Sequence, residues 1–569
     1  MASQRCNTIP NDYETEEIEQ RETYLQNRLL SLVGTNQPSD IEFVFILLGL
    51  FFTEYASLYR KRYSGYHNTI GRPCIHILIP LIFYIIKEFL RCSDRMLIIQ
   101  IPREGPLFKA LGGKEGRPLM GERTLYESRN RLNVYEETEG YNVKEQFYSD
   151  FTQFLMGIVG MDPSIYRMDS TLIDSCIRKL SRNMLIFLVI RISVRTMAKL
   201  ALPLPSEWEI FLQPDCGMAD VNEAQAHSYR SLLLLPANHP TDKMKRRATL
   251  LEICLALKHF GNQYKEFQSA PVHILLQRVI GEQTEGVEQE GQKRLMVRST
   301  SPSGSLQSPF DPDAQCRIKG KQLCRGYVCN LVEARDEVKR LSILTHVNTQ
   351  GALHSDKDFG VDYISNHAPG DNKTLYFDGG YNCHEVREAA KERTIDIHPT
   401  DRMGRKENPS KKRVSGFKRG KDGKIHQCPG GKTPDSSTYQ PGEKGKGKIV
   451  ARFHEGTCGG CKFAEQCAAK PLKRGERVLR TTDQSYSTAE QRDKMEQPGY
   501  KEKGNRRAAV EGVCSSMKNR FQAAKMKVRG KTRVARAMMA KGSAYNLSQA
   551  VRYLQKKIRK IRIRSPITT

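Results

Sequence analysis

The chain has 569 residues, with 91 Lys+Arg against 63 Asp+Glu and a net charge of +28, a length that fits two to four domains. From residue 401 onward there are 43 basic and 14 acidic side chains, so the first 400 residues are close to neutral and the basic end calls for a polyanionic partner, most simply nucleic acid, rather than for solubility alone. Fifteen cysteines, an odd number, follow a start (Met1-Ala-Ser-Gln-Arg-Cys6) without a signal-peptide pattern, which argues against a disulfide framework and predicts a reducing compartment.

Residues 1–150 are expected to be a helical N-terminal domain. After an acidic lead (14–22), apolar residues recur at helical spacing over 43–59 and 75–90, with Gly71-Arg-Pro73 between them. A turn at 91–95 and short helices at 107–112 and 122–132, broken by Ser-Asp and Gly-Gly, fit a helix-turn-helix reader of DNA. The longest apolar runs (41–52, 75–86 and 184–190) are shorter than the roughly 18 residues a membrane span needs, so they are expected to be buried helices.

Residues 151–400 begin with a strand, Ile165-Tyr-Arg-Met-Asp169-Ser-Thr-Leu-Ile, followed by a helical insertion over about 177–292 with helices at 177–199, 242–260 and 272–280. Trp208, the sole tryptophan, is expected to pack inside it. The polar joint Ser299-Thr-Ser-Pro-Ser-Gly-Ser-Leu-Gln-Ser308-Pro is a loop by composition. Short β-branched and aromatic runs then predict strands at 326–333, 341–347 and 374–377, the last leading into Asp378-Gly-Gly-Tyr381. A strand, a helical block, three strands and a helix give a mixed α/β core. Asp169 and Asp378 thus lie in or beside strand-like runs, while Asp174 and Glu385 are expected to be structural. Cys316, Cys324 and Cys329 lack a Cys-x2-Cys core and are also expected to be structural.

Residues 401–480 form an expected basic insertion. The stretch 401–448 is rich in Gly, Lys, Pro and Ser and is expected to be a loop, a tethered module or a disordered arm. Around its end lie Cys428 and Cys458-Gly-Gly-Cys461-Lys-Phe-Ala-Glu-Gln-Cys467. Cys-x2-Cys places two thiolates on one tetrahedral Zn²⁺, and Cys467 can swing in as a third. Cys428 is the expected fourth ligand, with His426 and His454 as substitutes. A structural Zn²⁺ would stabilise this apolar-poor segment.

Residues 481–569 hold Arg507-Ala-Ala-Val-Glu511-Gly-Val-Cys514-Ser-Ser-Met-Lys518. Spacings of four, three and four put Arg507, Glu511, Cys514 and Lys518 on one face of an expected helix. A carboxylate between two cations on one stripe suits a metal ion flanked by DNA phosphates, with Glu511 a ligand and Arg507 and Lys518 neutralising the backbone. An ordinary i,i+4 surface pair between Arg507 and Glu511 is the plainer alternative. The tail, 555–564, mixes apolar and basic residues and is expected to be a strand or a phosphate-tracking arm.

Taken in order, these motifs resemble a DDE transposase of a bacterial insertion sequence, from the branch with a cysteine cluster between the second and third acids. The resemblance rests on Met168-Asp169-Ser-Thr-Leu-Ile173, on 306–314 with Arg317, Lys319 and Gly326-Tyr327, and on Tyr376-Phe-Asp378-Gly-Gly-Tyr381. It continues through the cysteine group, Arg507-x3-Glu511-x6-Lys518, Arg529-Gly530 and Ala544-Tyr-Asn546-Leu547. It departs at Gly504, where the family has a tyrosine; the nearest here is Tyr500.

The resemblance implies an RNase H-like mixed-sheet core. Asp169, Asp378 and Glu511 would be its catalytic acids, holding two Mg²⁺ (or Mn²⁺) ions about 4 Å apart. Asp169 would bridge the two ions. Arg507, Lys518 and Arg529 would contact DNA, with Lys518 nearest the cleaved end. The implied partner is double-stranded DNA, both element ends and target, held by a homodimer in the bacterial cytoplasm at the nucleoid, without membrane association. The implied activity is metal-assisted cleavage at terminal inverted repeats and joining of the 3′-hydroxyl to target DNA. A decayed or repurposed transposase acting as a DNA-binding regulator is the alternative reading.

Overall fold

The computed structural model describes residues 39–67, 74–101, 106–114, 119–212, 240–289, 292–320, 322–366, 373–400 and 410–564. The acidic lead, Gly71-Arg-Pro73 and 401–409 lie outside the described residues.

Among the described residues the first helices are α1 (Asp40–Arg62), α2 (Leu78–Leu90), α3 (Asp94–Gln100), α4 (Glu122–Glu139) and α5 (Val143–Val159). Ser39 and Glu42 close a reciprocal capping box on α1, while Arg60, Lys61 and Arg62 meet the negative end of its dipole. By length and composition α1 could cross a membrane. In the fold its Phe51 ring meets Phe147, Phe151 and Phe154 of α5 at 5.1–5.6 Å, edge to face.

Next come β1 (Ile165–Asp174), α6 (Arg182–Lys199), α7 (Pro240–Gly261), α8 (Pro271–Gln283) and the hairpin β2 (Thr284–Gln289) and β3 (Gln292–Val297). The expected helices of the insertion are present, around their own core. Trp208 is buried there, edge-on to Phe260 at 5.2 Å. The chain returns through Asp311, a fully buried carboxylate that accepts from the hydroxyls of Ser175 and Tyr327 and so ties the insertion to the sheet.

The sheet is completed by β4 (Gln315–Lys319), β5 (Gln322–Asp336), β6 (Leu341–Gly351), β7 (Thr374–Phe377) and β8 (Asp396–Pro399). Helix α9 (Asp356–Asn366) follows β6, and α10 (His384–Glu392) follows β7. Along the sheet the order is β6-β5-β1-β7-β8, with β4 extending the β6 edge. The first three strands are antiparallel; β7 and β8 run parallel to β1, each reached through a helix.

Beyond β8 a small module holds β9 (Lys418–Arg419), β10 (Ile425–Gln427), β11 (Ser436–Gln440), β12 (Lys448–Phe453), β13 (Lys470–Pro471) and β14 (Arg477–Thr482). Of the loop, tethered module or disordered arm expected for 401–448, the described part is a folded module. That stretch is too apolar-poor to fold alone, but Phe417 and Ile425 share a core with Ile449, Phe453, Leu479 and Tyr486, which come later in the chain.

The chain ends in α11 (Asp483–Glu496), α12 (Ala509–Asn519) and α13 (Lys531–Arg564). The tail at 555–564 is therefore the end of a 34-residue helix and not a strand. Helix α13 lies with α5 against the β6 side of the sheet. Fully buried Asn546 accepts from the Leu344 N–H at 2.7 Å and donates to its carbonyl at 2.8 Å, occupying groups that an edge strand would otherwise expose. One core runs from α1 and α2 through α5 and α13 to the sheet.

Candidate active site

Strand β1 carries Asp169 at the centre of the sheet, the neighbouring parallel strand β7 delivers Asp378 one residue past its end, and α12 presents Glu511 in its first turn. Residues 209 and 133 apart in sequence thus meet on one side of the sheet. Arg507 stands among them. Its Nη2 is 3.6 Å from Asp169 Oδ2 and 3.9 Å from Asp378 Oδ2, and its Nη1 is 4.0 Å from Glu511 Oε1.

Arg507 belongs to a 3-10 turn (Asn505–Ala508) just before α12, not to one continuous helix as the spacing predicted. The stripe nevertheless faces the site, since Cys514 Sγ lies 4.0 Å from Asp169 Oδ2. Burial, with Asp169 next in effect, pushes the Cys514 thiol up to about 12, so it is a neutral neighbour. Lys518 continues the same face, half-buried, and Arg529 is exposed with its guanidinium over Phe310 at 5.8 Å.

Exposure rises across the carboxylates, from 17% for the Asp169 side chain to 32% for Asp378 and 69% for Glu511. Burial raises the Asp169 carboxyl above the ordinary range, while Arg507 and the Ser170 N–H oppose that shift. Arg507 Nε is buried without a hydrogen-bond partner, so the guanidinium is held by charge more than by paired hydrogen bonds. Among the described residues no three His, Cys, Asp or Glu side chains are gathered closely enough to hold a metal as they stand. At the acidic site the carboxylates surround Arg507 rather than a common point, as like charges do around an interposed cation.

One acidic residue escaped the sequence reading. Asp356, at the start of α9, accepts from Ser170 Oγ at 2.7 Å, beside Asp169. A Cβ on Gly380 would sit 2.9 Å from Asp378 Oδ1 and 3.0 Å from Asp356 Oδ2, so both carboxylates border the same small space. The Gly380 N–H also donates to Asp378 Oδ1 at 2.8 Å and fixes that carboxylate. Only the Asp-Gly-Gly tightness of the turn hinted at this crowding. Asp174, expected to be structural, accepts from the Arg325 N–H at 3.0 Å.

Tyr500 lies one helical turn before Gly504, stacked on His398 at 3.8 Å, with its hydroxyl donated to the Pro399 carbonyl at 2.9 Å. A Cβ at Gly504 would approach Thr400 and His398 at 3.5–4.0 Å, so both positions address the end of β8. Tyr500 serves packing there.

In the small module Cys428, Cys458, Cys461 and Cys467 line one enclosed cavity. An added Cβ on Gly430 would lie 3.5 Å from Cys461 Sγ and 3.6 Å from Cys428 Sγ. Burial and then the other three sulfurs raise the Cys458 thiol, with Arg477 opposing them. His426 instead contacts Asp422, and His454 caps the turn carrying Cys458. The donor chemistry suits a thiolate-binding metal, with four sulfurs lining one cavity but not drawn together to coordination distance.

Three antiparallel strands followed by two parallel ones, with acids on the central strand, after its parallel neighbour and on a late helix, form a mixed α/β core compatible with an RNase H-like arrangement. Residues 427–551 match the family model of the transposase DDE domain, which supports a DDE transposase. The match spans the cysteine module, Glu511 and most of α13, while Asp169 and Asp378 join the site through the sheet. No curated protein and no solved structure matches the chain.

Proposed function

We propose that this DDE transposase binds the terminal inverted repeats of a mobile element, hydrolyses the DNA at the element ends and joins the freed 3′-hydroxyl to target DNA. The observation that carries this reading is the ring of Asp169, Asp378 and Glu511 around the Arg507 guanidinium: three hard oxygen donors from separate elements, already arranged about a positive charge. Such donors suit Mg²⁺ or Mn²⁺. When bound, the divalent ions supply Lewis-acid activation of water and charge stabilisation at the phosphorus.

Arg507, displaced from the carboxylates, is placed to meet a phosphate bidentately. Lys518 and Arg529 extend positive charge along the same side of the chain. The four cysteines hold a structural Zn²⁺ in this reading, and two copies act together in the nucleoid, one for each element end.

The test is cleavage and strand transfer on DNA carrying the element ends, with Mg²⁺ present. Asp169→Ala, Asp378→Ala and Glu511→Ala should each lower both steps by at least about 10³-fold. Full activity in any one of them would remove that residue from the site.

A further inference from the structure

Away from the carboxylates, α2, α4 and the segment from Phe521 to Lys541 enclose a cleft of about 440 Å³. Several cations in its wall are already neutralised: Lys87 and Arg129 share Asp94 at 2.8–2.9 Å, Arg536 pairs with Glu136 at 2.6 Å, and Lys541 pairs with Glu88. Arg91, Lys525, Lys527 and Arg533, all exposed, have no ion-pair partner among the described residues. At the rim Arg520 is held below its ordinary pKa by burial and by the neighbouring charges of Arg552 and Arg91. Tyr126 of α4, 66% exposed, also lines the cleft. Unbalanced like charge concentrated in a groove raises the local concentration of anions there.

The cleft is joined to the active site by backbone. The loop after α12 adds to the end of β1, with the Asp174 N–H donating to Ala524 O and the Met526 N–H to Asp174 O, both at 2.9 Å. Asp169 is five residues upstream on that strand, about 16 Å at roughly 3.3 Å per residue. At about 3.4 Å per nucleotide along one DNA strand, that distance corresponds to some five nucleotides.

We propose that this cleft binds the phosphate backbone of the DNA flanking the cleaved end, about five nucleotides from the scissile phosphate, through Arg91, Lys525, Lys527 and Arg533. The proposal rests on the reading of the protein as a DNA-cleaving transposase. The experiment measures binding of full-length protein to duplex DNA bearing the element end over a series of salt concentrations. Each phosphate contact contributes about 0.9 to the slope of log K against log salt. The triple variant Lys525→Ala/Lys527→Ala/Arg533→Ala should lower that slope by about 2–3 and weaken binding at least about tenfold at 150 mM salt. The charge-conserving Lys525→Arg/Lys527→Arg/Arg533→Lys should keep the slope. If the alanine variant melts early, Arg91→Gly, which suits the φ of 53° at that position, should still lower the slope by about one. Wild-type binding with unchanged slopes in the neutralised variants overturns the cleft assignment alone. No binding by the wild type overturns the transposase reading and the cleft with it.

Discussion

The Nη2 of Arg507 stands 3.6 Å from Oδ2 of Asp169, so the carboxylate at the centre of the sheet already faces a cation supplied by the protein. A guanidinium in that place competes with divalent metal for the same oxygens. Arg507→Ala should therefore bind Mn²⁺ more tightly in the absence of DNA, because the carboxylates lose their internal counter-charge. The same variant should cleave about 10²–10³-fold more slowly, because the cation that would face the phosphate is gone. Calorimetric titration with Mn²⁺ and a cleavage assay separate the two effects; weaker metal binding in the variant would contradict the competition.

The central acids were legible because each sits at a point where local pattern and topology agree. Asp169 lies inside a strand-like run, Asp378 follows the β-branched and aromatic run Thr374-Leu-Tyr-Phe377 and enters a Gly-Gly turn, and Glu511 shares a helical spacing with Arg507 and Lys518. Asp356 was not legible, because its partner is the Ser170 hydroxyl, 186 residues away, and nothing local marks that meeting. The strand reading of the 555–564 tail fails because those residues continue the long helix α13 begun at Lys531, which local alternation does not reveal. The cysteine-module core escaped notice because its apolar residues are spread from Phe417 to Tyr486, with few in any one window.

Gly380 offers a test of the Asp356–Asp378 arrangement that leaves every carboxylate in place. A methyl group there would press on Asp378 Oδ1 at 2.9 Å, closer than Cβ contacts ordinarily come, and tightly on Asp356 Oδ2 at 3.0 Å, so a carboxylate must shift. Gly380→Ala should reduce cleavage by on the order of 10²-fold while leaving the melting temperature within a few degrees, since displacement of a reacting group by about 1 Å carries that penalty. Asp356→Asn keeps an acceptor for Ser170 and removes only charge; it should shift the metal concentration needed for half-maximal rate more than the rate at saturation. An unchanged metal requirement would make Asp356 a purely structural partner.

The cysteine cavity predicts a metal stoichiometry. Protein purified under reducing conditions should carry about one Zn²⁺ per chain by elemental analysis. Cys461→Ser should lose it, and a strong chelator should lower the melting temperature of the wild type but not of the variant. Zinc at wild-type level in Cys461→Ser would remove this thiol from the ligand set. Because the module's core is built from few apolar side chains, its loss should open the region around β12 and β14 to proteolysis before the main sheet unfolds.

A buried lysine gives the fold a distinct response to pH. Lys144, on α5, is paired with Glu136 of α4 and also reaches Asn133 at 3.1 Å. Burial outweighs the attraction of Glu136 and brings the ammonium down from 10.5 to about 8. Between those values the unfolded chain binds the proton that the folded chain has released, so this group makes stability rise with pH from about 8 to 10.5. Below pH 8 the folded protein carries the full cost of a charged, buried ammonium. Lys144→Met keeps the bulk, leaves Glu136 paired to Arg536 at 2.6 Å and removes that cost. The variant should melt higher than the wild type at pH 7, and its advantage should shrink steadily as pH is raised towards 10. Melting curves of the two proteins across that range check it; a constant difference would mean that Lys144 keeps an ordinary pKa inside the fold.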